Sequence, residues 1–235
     1  MKLSDSINKT PAEKGRALED LYVQVPTGTC KGCTKCCSES VNVSFLEFAN
    51  IINNGWNHFD ETDRERIAKR VIRFKLLEWT QNLKCPFLGD DQRCEIYAVR
   101  PLPCRLFGTA TKTAYERNYK QIEAQNLRFA LWLKKETHNL LPVSVVRHKI
   151  DFCEDFVPIK AFDHQSIDAL YGKLINLDGS LFFEGIIDDT LMNGDLVSWM
   201  VQYLIETSTE DEEKVKWFRE LFTDMRLACL SQIQK

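Results

Sequence analysis

Four cysteines fall within eight residues, Cys30-Lys31-Gly32-Cys33-Thr34-Lys35-Cys36-Cys37, and no other feature of the chain restricts its fold as strongly. Thiolates this close repel one another unless a cation joins them, and Gly32 supplies the backbone freedom that lets neighbouring sulfurs converge. Cys85, Cys94 and Cys104 form a second group, Cys153 stands apart, and Cys229 falls near the last residues of the sequence. The total of nine is odd, which fits full disulfide pairing badly. Met1-Lys2-Leu3-Ser4-Asp5-Ser6 leads into no apolar signal segment, and no run is long enough to cross a bilayer, so a cytoplasmic protein is expected. Thiols there are kept reduced, and clustered cysteines bind metal or do redox chemistry more often than they form structural disulfides.

Eight of the nine, Cys30, Cys33, Cys36, Cys37, Cys85, Cys94, Cys104 and Cys153, are the candidate metal ligands. Four thiolates per site suit two closed zinc centres or iron–sulfur ligation, and one cluster with thiols in reserve fits as well. A histidine-free thiolate set selects zinc, Cu(I) or iron–sulfur over Mg²⁺ and Ca²⁺. It does not choose between zinc and iron, although the reading leans to a 4Fe-4S cluster. Side chains of neighbours such as Cys36 and Cys37 point in different directions, so one of them can serve a second metal or remain a free thiol. Lys31, Lys35, Lys84, Arg93, Arg100 and Arg105 flank the cysteines and would favour an anionic centre, offset in part by Asp90, Asp91 and Glu95. Ordinary surface charge explains these bases equally well.

Two known signatures are absent. No three cysteines have the i, i+4, i+7 spacing of radical S-adenosylmethionine enzymes, and the ferredoxin run that begins at Cys30, Cys33 and Cys36 meets Ser40 and Val41 where cysteine and proline belong. The pattern Cys30-x₂-Cys33-x₂-Cys36-Cys37, with Cys85-Pro-Phe-Leu, Cys94-x-Ile-Tyr and Arg100-Pro-x₂-Cys104-Arg105, instead resembles the YkgJ-like CxxCxxCC family of zinc- or iron-chelating cysteine-cluster domains. The resemblance covers residues 26–108, with Cys153 as a last member, and implies a metal centre on these eight cysteines. No reaction comes with it. Flagellin lysine methylases carry a related arrangement, so the alternative is a metal-dependent redox or protein-modifying enzyme. No glycine-rich nucleotide loop supports that alternative, nor is there a GxSxG, HExxH or P-loop motif.

Other residues receive plainer readings. Phe87, Leu88, Ile96, Tyr97 and Phe107 would form an apolar shell around the metal or simply core, and Arg100 and Arg105 could donate to thiolate or sulfide. His58, His138, His148 and His164 show no metal spacing and read as surface or capping residues. Asp188-Asp189 reads as a turn, and Cys229 as a buried apolar residue on a terminal helix.

The remaining chain is expected to be mainly α-helical. Thr10-Pro11-Ala12-Glu13 and Ser44-Phe45-Leu46-Glu47 read as capping boxes, opening helices over 11–24 and 44–53. A helix over 61–81 would bury Ile67, Val71, Phe74 and Leu77 and leave Arg64, Arg66, Lys69, Arg70, Arg73 and Lys75 on a solvated face. Residues 85–107 read as loops with one helical turn near 95–99, followed by a helix over 115–137 and an extended stretch around Val143, Val145 and Val146. Helices are expected over 165–177, over 181–206 with a turn at Asn193-Gly194, and over 211–234, where Thr209 to Glu213 puts negative charge at the start. These readings divide the chain into a cysteine-cluster domain over 1–158 and a helical region over 159–235, which is either part of the same domain or a surface for self-association. A net charge of −3 predicts no nucleic-acid partner, and none is expected from a membrane.

Overall fold

The computed structural model describes residues 1–29 and 32–208, with Lys216, Arg219, Glu220 and Thr223 beyond them. These residues form nine α-helices and two minimal two-stranded sheets, so the fold is mainly α. Of the expected helix over 211–234 only Lys216, Arg219, Glu220 and Thr223 are described, and each is helical; its acidic start and Cys229 lie outside the described residues.

Local chemistry sets most helix starts. Helix α3 (Phe45–Asn54) opens on the expected capping box: the Ser44 hydroxyl accepts from Glu47 N, and the Glu47 carboxylate accepts from Ser44 N. The box expected at Thr10 does not form. Thr10 Oγ1 instead donates to Ser6 O at 3.0 Å, closing an unforeseen helix α1 (Leu3–Lys9), so α2 (Ala12–Tyr22) starts from Pro11 without a side-chain cap. Asp60 caps α4 (Glu61–Leu77), which ends four residues before position 81. The turn expected near 95–99 is a 3₁₀ turn at Tyr97–Val99, and Pro101 starts a further helix, α5 (Leu102–Leu106), that the prolines had argued against. Thr111 opens α6 (Lys112–Thr137), and His138 ends it at φ 60°. The valines expected to be extended form α7 (Val143–Val146), because Pro142 O collects N–H bonds from both Val145 and Val146.

Helix α8 (His164–Phe183) runs six residues past its expected end and takes in Leu181. The Asn193-Gly194 turn is instead strand β4 (Asn193–Asp195), antiparallel to β2 (Asn42–Ser44), and α9 (Leu196–Ser208) follows it. Only glycine fits at 194, since a Cβ there would lie 2.2 Å from the Trp199 ring. The other sheet pairs β1 (Gly28–Thr29) with β3 (Val157–Pro158).

One apolar core joins α1 to α5 with α8 and α9, through Phe45, Phe48, Ile52, Val71, Leu174 and Met200 among others. Polar bonds lock these helices together across long sequence distances. Asp178 of α8 accepts from Phe45 N at 2.8 Å and Leu46 N at 3.1 Å, and Glu206 of α9 accepts from Leu3 N and Ser4 N. Helix α6 lies outside that core: only Ala114 and Leu133 are buried along it, while Leu131 and Trp132 face outward. Among the described residues no helix is long and apolar enough to cross a membrane.

Candidate metal centre

The first cysteine group ends in a turn in which Cys37 N donates to Thr34 O at 3.1 Å. The turn uses left-handed backbone at Gly32 (φ 68°) and Thr34 (φ 57°), the first of which the sequence foresaw. Two bonds fasten this turn to the second group. Cys85 N donates to Cys37 O at 2.8 Å, and Lys84 Nζ donates to Thr34 O at 3.1 Å.

Cys85 and Cys94 ride on a tight hairpin closed by the Leu88–Cys94 bridge, with Gly89 N donating to Arg93 O at 2.8 Å and Glu95 N to Phe87 O at 2.9 Å. Helix α4 holds that hairpin. Arg70 donates to Leu88 O at 2.5 Å and pairs with Glu95, and Arg66 reaches the other Glu95 oxygen at 2.6 Å. The expectation of a solvated α4 face is therefore right for Lys69, which pairs with Glu65 along the helix, and wrong for Arg66 and Arg70. A spacing rule sees which face a residue occupies, and cannot see which loop returns to cover it.

Cys104 is carried by α5. The first amide of that helix, Leu102 N, donates to the buried Glu47 carboxylate, which also accepts from Tyr22 OH at 3.0 Å. Arg105 is occupied here as well: its Nε donates to Arg100 O at 2.7 Å, Nη2 donates to Ala98 O at 2.6 Å, and the guanidinium lies 3.9 Å above the Tyr22 ring.

These supports bring Cys36, Cys85, Cys94 and Cys104 together: Cys104 feels the charge of the other three, Cys85 that of Cys94 and Cys36, and Cys94 that of Cys36. Burial pushes the Cys85 thiol up to about 12 and drives Cys94 and Cys104 upward too. Cys36 is raised first by Cys37, whose sulfur is 4.0 Å away, and then by burial. Four such groups stay neutral thiols until a cation stabilises their anionic form. Among the described residues no cysteine is in a disulfide, and no three His, Cys, Asp or Glu side chains converge on a single-ion point. Cys33 is exposed, Cys36, Cys37, Cys85, Cys94, Cys104 and Cys153 are half-buried, and Cys30 lies outside the described residues.

Arg100 is the base best placed to serve these thiols. Its guanidinium sits 4.0 Å over the exposed Tyr97 ring and lowers the cost of ionising Cys36, Cys94 and Cys104. Among the described residues it has no carboxylate partner, and its Nε is buried without an acceptor. Of the apolar shell, Phe87, Leu88 and Ile96 are buried, whereas Tyr97 is 52% exposed and serves as the platform for Arg100.

His148 also proves to be near the cysteines, with Nε2 3.3 Å from Ser38 Oγ. No spacing signal could have found it, because the contact spans more than a hundred residues. The other histidines behave as expected: His138 caps α6 and His164 pairs with Asp168 at 2.7 Å. Asp188 caps the 3₁₀ turn at Asp189–Leu191.

Residues 29–126 match the CxxCxxCC family model, described as a "Putative zinc- or iron-chelating domain". No curated protein and no solved structure matches the chain.

Proposed function

We propose that the chelating domain over residues 29–126 holds its metal on Cys36, Cys85, Cys94 and Cys104, and that the group bound there is a 4Fe-4S cluster. One observation carries this reading: Cys36, Cys85 and Cys94 all act on the Cys104 thiol, and the group lies beside a guanidinium that has no carboxylate partner among the described residues. Four thiolates around a metal make an anionic centre, and Arg100 supplies its countercharge. Thiolate-only ligation by four cysteines is the set a 4Fe-4S cluster takes, and zinc accepts the same set, so metal and sulfide content decides between them.

Such a cluster, when bound, supplies one-electron redox chemistry. The chain contributes the rest. Phe87, Ile96 and Leu102 shield one side of the thiols, the α4 arginines fix the hairpin that presents Cys85 and Cys94, and the hydrogen bond from Cys85 N to Cys37 O holds the two groups in register.

Metal and acid-labile sulfide analysis of protein purified without oxygen tests the assignment. About four iron and four sulfide per chain, with broad absorption near 400 nm, is the expected result. Zinc without sulfide or colour overturns the cluster and retains chelation.

A further inference from the structure

Helix α6 is supported along one side only. Tyr115, Tyr119, Ile122, Asn126, Ala130 and Leu133 recur at helical spacing and are all buried or half-buried. On that side Tyr115 OH donates to Ile150 O, and the Tyr115 ring packs on Phe152 at 5.5 Å.

The opposite side carries Leu127 and Leu131, one turn apart and 53% and 59% exposed, followed by Trp132 at 55%. Most helices in proteins are stabilised by packing an apolar face, and apolar side chains aligned on a solvent face mark a surface that another element covers. The stripe is also held in place. Trp79, just past α4, packs on Phe129 at 5.7 Å, and Phe129 packs on Trp132 at 5.8 Å.

The charges along this stripe identify its occupant. Glu123 stands one turn before Leu127, and Lys134 about one turn after Leu131 on the same edge. Among the described residues neither side chain makes an ion pair, nor does Arg128 on the other edge. A second α6 laid antiparallel to the first, with each Leu127 against Leu131 of the second copy, brings Glu123 beside Lys134 of the second copy. The two-fold axis repeats that pair at the other end of the contact. It also turns Arg128 toward Trp132 of the second copy, within reach of a cation–π contact. Parallel pairing would instead set Glu123 against Glu123 and Lys134 against Lys134. The face is therefore complementary to itself in the antiparallel sense alone.

We infer that this chain forms a symmetric dimer through α6, with Leu127 and Leu131 at the centre of the interface and two Glu123–Lys134 pairs at its ends. The metal centre plays no part in this contact.

Sedimentation equilibrium of the full, metal-loaded chain over a concentration series tests it, with reductant present to exclude disulfide-linked dimers. Wild type is expected to approach twice the 27.3 kDa chain mass. Leu127→Glu combined with Leu131→Glu should hold the protein at single mass with unchanged far-UV circular dichroism, since both side chains already face water. Glu123→Lys should weaken association roughly tenfold, because it sets like charges together at both ends. Adding Lys134→Glu to Glu123→Lys should restore association. These two positions lie three turns, about 16 Å, apart on one helix, so the rescue acts only between copies.

Single mass for wild type at every concentration overturns the dimer and leaves the face to a partner of another kind. A dimer that survives both leucine changes overturns α6 as its interface. Loss of association in Glu123→Lys that Lys134→Glu fails to rescue overturns the antiparallel register.

Discussion

Arg100 and Asp178 show how single side chains set the behaviour of this molecule. If the proposed cluster is bound, reduction would add negative charge beside the thiolates, and the Arg100 guanidinium would favour the reduced form. Arg100→Gln should lower the reduction potential by about 60 mV, the one-electron equivalent of a tenfold change, with partial recovery in Arg100→Lys. Potentiometric titration of the cluster absorption measures this, and an unchanged potential in Arg100→Gln removes the residue from the centre. Asp178 acts on folding. Burial pushes its carboxyl up to about 7, against two α3 amides that pull it down and with Glu47 adding to the rise. The folded state thus holds a proton that the unfolded chain releases near pH 4, so this residue's contribution to stability falls as pH rises from about 4 to about 7. The slope approaches about 1.4 kcal/mol per pH unit, and urea unfolding of wild type against Asp178→Asn over that range should show the difference. The thiols, the α3 capping box and the apolar face of α4 were all legible at this scale. The long-range partners of Asp178 and His148 were not, because propensity and spacing carry no information about residues a hundred positions away.

Among the elements, α4 does more than its pattern announces. Its buried face, with Ile67, Val71 and Leu77, follows from period alone, while its outer face clamps the Cys85–Cys94 hairpin through Arg66 and Arg70. Removing such a supporting contact commonly weakens metal retention by about tenfold or more. Arg70→Ala should therefore release metal to a chelator roughly tenfold faster with helix content unchanged, while Lys69→Ala on the same helix should match wild type. Equal release rates for the two variants would leave the clamp without a role. The prolines and glycines of the segment over 85–107 break regular patterns and give it the signature of a loop. The same prolines, at the first turn of α5, are what place Cys104 on a helix.

The whole molecule is built around apolar packing, and the thiols sit at its margin. Sequence alone makes residues 26–110 look dependent on metal, since loops so rich in cysteine have little structure of their own. The core contradicts that for α3 and α4, whose Phe48, Ile52 and Val71 pack with α8 and α9. Chelation should therefore leave most of the far-UV helical signal and expose chiefly residues 32–38 to proteolysis; collapse of the helical signal would make metal the organiser of the fold. Truncation after residue 158 should do the greater damage, because it removes Asp178 from the start of α3 and leaves β2 without β4. Loss of a cooperative melt in that fragment is the expected result.

The reach of Asp178 back to α3 also has a bearing on synthesis. Seven cysteines, from Cys30 to Cys104, leave the ribosome before the residue that closes α3 has been translated. At usual elongation rates that interval is roughly ten seconds. During it the thiols are unshielded, and the nascent chain depends on the reducing power of its surroundings, or on early delivery of metal, to reach its final form.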